Sequence, residues 1–179
     1  MKILFISDIH GVSDNLGYID SVIIRENIDK LVVLGDLYYS GFGYNGKFET
    51  NGSLVKDFLT RYKDILICMR GNCDSDVDVK VSDFPICNNL SMIFIDGVNI
   101  YITHGNEYNS KKNTKIDNSV LVYGHEHVPY IEKRNDMTYI CVGSISLPRN
   151  NSNPSYMIYE NRIFTIYDIY GNLVSTVKL

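Results

Sequence analysis

The chain has 179 residues, 45% hydrophobic and 21% charged, which excludes a disordered segment and suits a folded domain with a substantial core. The formal net charge is -4 with no basic run, which removes the electrostatic basis for gripping nucleic acid. No apolar stretch reaches membrane-spanning length, and Asp8 and His10 interrupt the N-terminal apolar run too early for a signal peptide.

The first half alternates strand and helix signals. Residues 3–6 form a continuous apolar run, as in a strand buried on both faces. Ser13 is placed to cap a helix carrying Leu16, Ile19 and Ile23 on one face. Residues 31–34 are a second buried strand, and Leu54, Val55, Phe58, Leu59 and Tyr62 mark a second helix. Residues 65–68 are a third strand, and the βαβαβ order predicts a parallel sheet with right-handed crossovers. The second half reads as largely antiparallel. Strands over 91–95 and 99–103 flank an Asp96-Gly97 turn. A short strand covers 119–123, and strands over 129–134 and 137–142 flank Asn135-Asp136. Strands over 156–160, 163–169 and 173–178 form a meander with turns at Glu160-Asn161 and Gly171-Asn172. No linker or repeat divides the chain, so residues 1–179 read as a single domain. The architecture that fits is an α/β (α+β) sandwich of two mixed sheets packed face to face, with helices outside.

Five of these strands end in polar residues suited to metal chemistry. The first runs into Ser7-Asp8-Ile9-His10-Gly11, the second into Gly35-Asp36, and the third into Arg70-Gly71-Asn72-Cys73-Asp74. Two later strands end in Thr103-His104-Gly105 and Gly124-His125-Glu126-His127. Ligands bind at the carboxyl ends of strands in α/β sheets. Residues i and i+2 of extended chain point the same way, which pairs Asp8 with His10 and His125 with His127. Imidazole, carboxylate and amide oxygen together suit Mn, Zn, Fe, Co or Ni. Each motif alone is weak, since Asp-x-His recurs by chance and Gly-Asp is a common turn. The joint pattern is specific, because all four histidines fall within it.

The order Asp-x-His, Gly-Asp, Gly-Asn-x-Asp, His, Gly-His-x-His resembles the signature of the calcineurin-like metallophosphoesterases. The stretches SDIHG, VLGD, RGNCDSDVD, THG, LVYGHEH and GSISLP resemble in particular the small bacterial YfcE-type phosphodiesterases. The resemblance spans nearly the whole chain and implies a four-layer αββα metallophosphoesterase fold. It implies two divalent transition metal ions, manganese first, with zinc, iron, nickel and cobalt as alternatives. Asp8, His10 and His127 would hold one ion, and Asn72, His104 and His125 the other. Asp36 would bridge them, one carboxylate oxygen to each.

The implied activity is in-line attack on a small phosphodiester by a hydroxide bridging the two ions. Alternatives on the same site are a phosphomonoesterase or phosphoprotein phosphatase, and a scaffold of the same fold that has lost catalysis. Asn72, Cys73, Asp74 and Arg70 are the candidate catalytic residues on the protein side. Cys73 stands where many relatives carry a histidine, and a thiol with a pKa near ~8.5 is a weak proton donor. Asp74 is placed to orient a neighbour, and Arg70 is either a substrate contact or an ion-pair partner. Glu126 should point away from its flanking histidines. Tyr38, Tyr39, Phe42 and Tyr44 read as packing first and as pocket or subunit contacts second. Lys111, Lys112 and Lys115 read as a solvated loop. Cys68, Cys73, Cys87 and Cys141 form no CxxC pair and read as reduced thiols of a cytoplasmic protein. The final meander offers an edge for pairing with a second copy.

Overall fold

Alternation along β1 (Lys2–Ile6) sets the layering. Successive side chains of a strand point to opposite faces. Ile3 and Phe5 therefore enter the core between two sheets, while Leu4 and Ile6 face helices on the outside. β2 (Lys30–Val33) repeats the pattern, with Val32 inward and Leu31 and Val33 outward. These observations come from a computed structural model, which describes residues 1–39, 50–112, 116 and 118–179.

One sheet has seven strands. β1, β2, β3 (Leu66–Met69) and β4 (Ile86–Cys87) run parallel in that order. β10 (Ser155–Glu160) pairs antiparallel with β1, followed by β11 (Ile163–Asp168) and β12 (Leu173–Lys178). The closing meander thus completes the first sheet. The second sheet contains β5 (Leu90–Ile95), β6 (Val98–Thr103), β7 (Val120–Tyr123), β9 (Met137–Val142) and β8 (Pro129–Arg134), in that spatial order. The second half pairs largely antiparallel as expected, except that β7 pairs in parallel with both β6 and β9. The parallel arrangement brings the carboxyl ends of β6 and β7 to one edge.

The helices follow from local signals. α1 (Leu16–Arg25) buries Leu16, Ile19, Val22 and Ile23 against the seven-stranded sheet. Ser13 is not its side-chain cap. The capping position is Asn15, whose amide instead donates to the Ile145 carbonyl. α2 (Gly52–Arg61) starts at Asn51, whose side chain accepts from the Leu54 amide, and buries Val55, Phe58 and Leu59. α3 (Asp76–Val81) was not expected, although Ser75 and Asp78 form the reciprocal capping box that marks such starts. The two-sheet α/β sandwich agrees with expectation. Among the described residues, the outer face of the five-stranded sheet is covered by irregular chain, including Tyr108 and Ile116, rather than by a helix. No helix among them is long and apolar enough to cross a membrane.

Candidate active site

The carboxyl ends of β1, β2, β3, β6 and β7 meet at one edge of the sandwich. The expected extended geometry is not how they converge. Asp8, His10, Asp36, His125 and His127 all adopt left-handed backbone, with φ of 55°, 52°, 56°, 62° and 60°. Such conformations cost about 1–3 kcal/mol each for non-glycine residues and persist where the surroundings over-determine them. Here the loops after β1 and β2 are laced together. The amides of Asp8, His10 and Gly11 donate to the carbonyls of Gly35, Asp36 and Leu37. Curling the chain at alternate residues turns both side chains toward the same point.

Two glycines are required by close approach. A Cβ on Gly71 would lie 2.1 Å from Asp36 Oδ1 and 2.3 Å from the Asp36 amide nitrogen. A Cβ on Gly124 would lie 1.8 Å from Ser7 Oγ and 2.5 Å from Asp8 Oδ2.

Three of the histidines are held in the same way. Nδ1 of His10 donates to the Tyr39 carbonyl at 2.6 Å, Nδ1 of His104 to Leu34 at 2.8 Å, and Nδ1 of His127 to Leu147 at 2.6 Å. A carbonyl only accepts, so Nδ1 carries the proton and a neutral ring presents a bare Nε2 lone pair. Those Nε2 atoms face other acceptors. His10 Nε2 lies 3.2 Å from His127 Nε2, 3.5 Å from Asp36 Oδ2 and 3.7 Å from Asp8 Oδ1. His127 Nε2 lies 3.3 Å from Asp8 Oδ1. His104 Nε2 lies 3.0 Å from Asn72 Oδ1, 3.3 Å from Asp36 Oδ2 and 3.3 Å from His125 Nδ1.

The carboxylates are almost wholly enclosed, Asp8 at 0% and Asp36 at 2% exposure. Asp8 Oδ2 accepts from the His125 amide, while Oδ1 is buried with no hydrogen-bond partner. The 3.3 Å approach of His127 does not relieve it while that ring is neutral, because lone pair then meets lone pair. Asp36 Oδ1 accepts from the Cys73 amide at 2.8 Å, so Oδ2 alone points between His10 and His104. Oδ2 is thus the Asp36 oxygen that faces both imidazoles, while Oδ1 is engaged by the backbone.

The field is strongly negative. Burial works against the charged form of His104, but Asp36 and Asp8 outweigh it and hold the ring at a pKa of about 9. Burial opposes the Asp8 carboxylate, yet His10 and His127 hold it well below the usual range. His125 moves the other way, lowered by burial and by His104. Asp8, His10 and His127 lie close enough to hold one cation, as do Asp8, Asp36 and His104, and also His10, Asp36 and Cys73.

The remaining candidates take different places. Asp74 accepts from the amides of Asp36, Leu37 and Gly71 at 2.7–2.8 Å, so it clamps the β2 and β3 loops together rather than facing the cluster. Arg70 donates to the Asp74 carbonyl and to Asp76 Oδ1, the geometry of an ion-pair partner. Burial, then Asp36, pushes the Cys73 thiol up to about 12, and its sulfur accepts from the Asn72 amide group. Glu126 turns away to Lys111 and Tyr130. Lys111 is exposed, and the Lys112 ammonium donates to the Asn106 carbonyl. Tyr38 packs against the core with its hydroxyl on Ser82, and Tyr39 is exposed. Phe42, Tyr44 and Lys115 lie outside the described residues.

One support carried no signal beyond the GSISLP stretch. Ser144 donates to the Asp8 carbonyl and accepts from the amides of Ser146 and Leu147. The loop after β9 thus braces Asp8 through Ser144 and orients His127 through Leu147.

The chain is similar to known proteins over nearly its whole length. Phosphodiesterase YfcE of Escherichia coli strain K12 is 29% identical over 167 residues, covering 93% of this chain and 91% of that protein. The solved structure of the Escherichia coli phosphoesterase YfcE superposes with a TM-score of 0.93 at 28% identity, covering 99% and 98% of the two chains. The probable metallophosphoesterase YsnB of Bacillus subtilis strain 168 is 25% identical, covering 99% and 97%. Vacuolar Protein Sorting 29 from Cryptosporidium parvum shares the fold alone, with a TM-score of 0.66 at 15% identity and coverage of 99% and 98%. Residues 1–162 match the family model of the calcineurin-like phosphoesterase superfamily domain, and the chain belongs to that superfamily.

Proposed function

We propose that the chain is a metal-dependent phosphodiesterase acting on small phosphodiesters. Family membership and the likeness to YfcE support a phosphoric diester hydrolase. The observation that carries the metal dependence is the meeting of acceptors at the strand ends. The Nε2 atoms of His10, His104 and His127 lie 3.0–3.7 Å from Asp8 Oδ1, Asp36 Oδ2, Asn72 Oδ1 or one another, so that without a cation only protons on the rings separate these lone pairs. Cations resolve that arrangement, and two sets of donors suit two ions. Asp8, His10 and His127 would hold one and Asn72, His104 and His125 the other, with Asp36 shared. Bound there, the ions would lower the pKa of water toward about 7, supply a bridging hydroxide and neutralise developing phosphoryl charge. Manganese is the first choice of metal.

The protein's own part is orientation. The Leu34, Tyr39 and Leu147 carbonyls lock three imidazoles with Nε2 inward. Ser144 and Asp74 fix the loops that carry Asp8 and Asp36. Cys73 supplies no effective acid at neutral pH, since its thiol titrates at about 12. Rates should therefore fall steeply as the leaving group becomes more basic. A series of aryl phosphodiesters measures this, and a flat dependence would reveal an acid elsewhere. Four free thiols are consistent with a cytoplasmic setting.

Metal analysis of purified protein should find about two transition ions per chain. Removing them with a chelator should abolish hydrolysis of an aryl phosphodiester and lower Tm by roughly 5–10 °C, with both restored by manganese. Hydrolysis that survives complete metal removal would sink this reading. Parallel turnover of an aryl monoester separates a phosphodiesterase from a phosphomonoesterase.

A further inference from the structure

The loop after β9 carries a cation that the site so far described does not use. The Arg149 amide donates to the His127 carbonyl at 3.0 Å. Its own carbonyl accepts from the Ser152 amide and hydroxyl, and that hydroxyl also reaches the His127 carbonyl. Asn150 and Asn151, with φ of 54° and 58°, make the tight turn that allows this. Leu147, two residues earlier, receives His127 Nδ1. The backbone of Arg149 is therefore tied twice to the segment that aims His127, while its side chain is exposed.

The other cations described on the bordering loops are engaged. Arg70 is held by Asp74 and Asp76, Lys111 by Glu126, and Lys112 by the Asn106 carbonyl. Among the described residues of these loops, Arg149 is the cation whose side chain has no acidic or carbonyl partner. A phosphodiester anion approaching Asp8 and Asp36 needs compensation at the rim. A guanidinium fork matches phosphate oxygens in geometry and stays charged at every working pH.

We propose that Arg149 is a substrate-binding residue that holds a non-bridging oxygen of the phosphoester. The proposal rests on the phosphoesterase reading above. The test uses the full-length, manganese-loaded chain with Arg149→Ala and Arg149→Lys. For Arg149→Ala, KM for an aryl phosphodiester should rise about tenfold and kcat should stay within about threefold. The salt dependence of kcat/KM should weaken. Calorimetric affinity for inorganic phosphate should fall about tenfold with metal content unchanged. Arg149→Lys should recover part of both losses. Unchanged KM and phosphate affinity would overturn the proposal. So would a loss accompanied by loss of metal, since that outcome assigns Arg149 to holding His127. A wild type that hydrolyses no ester overturns the phosphoesterase reading and the substrate role of Arg149 with it, whereas unchanged KM and phosphate affinity in a wild-type-active background overturn the Arg149 assignment alone.

Discussion

Asp36→Asn should lower kcat/KM by about a thousandfold, equivalent to about 4 kcal/mol of transition-state stabilisation. The replacement is nearly isosteric, so packing at this enclosed position is kept. The local hydrogen bonds decide how the amide sits. The Cys73 amide needs an acceptor where Oδ1 now stands, so the asparagine oxygen takes that place. The NH2 group then occupies the position of Oδ2, facing His10 Nε2 at 3.5 Å and His104 Nε2 at 3.3 Å. Two donors in that place satisfy both imidazoles and close the site to a cation. The variant should therefore bind fewer metal ions while its metal-free form is at least as stable as metal-free wild type. Metal analysis, thermal melts and aryl diester kinetics measure all three. Full metal content with activity within tenfold of wild type would rule out the shared role of Asp36.

Gly71→Ala should be strongly disruptive for a single methyl. The new Cβ meets the Asp36 amide nitrogen at 2.3 Å, and backbone cannot swing aside as a flexible side chain can. The β3 loop must move away from the β2 loop. That movement strains the Asp74 carboxylate, which bonds the Gly71, Asp36 and Leu37 amides at once. The expected cost is about 1–3 kcal/mol of stability. Displacing Asp36 and Asn72 by even about 1 Å should reduce activity about a hundredfold. Gly17→Ala is the control. It lies within α1, its Cβ meets nothing within 4 Å, and it should be neutral or stabilising by up to about 1 kcal/mol. Equal unfolding midpoints for the two variants would refute the packing argument.

Much of the strand order was legible from local pattern. The Asp96-Gly97 turn has φ of 52° and 73°, the left-handed pair that a two-residue hairpin demands, and both flanking strands form as expected. The first hairpin of the closing meander shifts by one residue. Asn161 and Arg162, with φ of 51° and 65°, make its turn rather than Glu160 and Asn161. Arginine carries no turn signal, so residue type alone misplaced it. The parallel pairing of β7 with β6 and β9 was not legible, because an apolar run states burial but not the direction of its neighbours.

The seven candidate side chains were visible from sequence because each stands where an apolar run breaks, and such a break is a local event. Sequence by itself determined which imidazoles, carboxylates and amide stand at which strand ends. Tertiary structure decided how they face one another. The carbonyls that set the histidine protons come from Leu34, Tyr39 and Leu147, between 20 and 70 residues from the rings they orient. The left-handed backbone at five of the seven positions persists under bonds between separate loops. Asp74 was weighed as catalytic and became a clamp for the same reason, since its three partners include amides 37 and 38 residues away. Residue type is a property of the chain, but the direction of a lone pair is set only by partners that folding brings beside it.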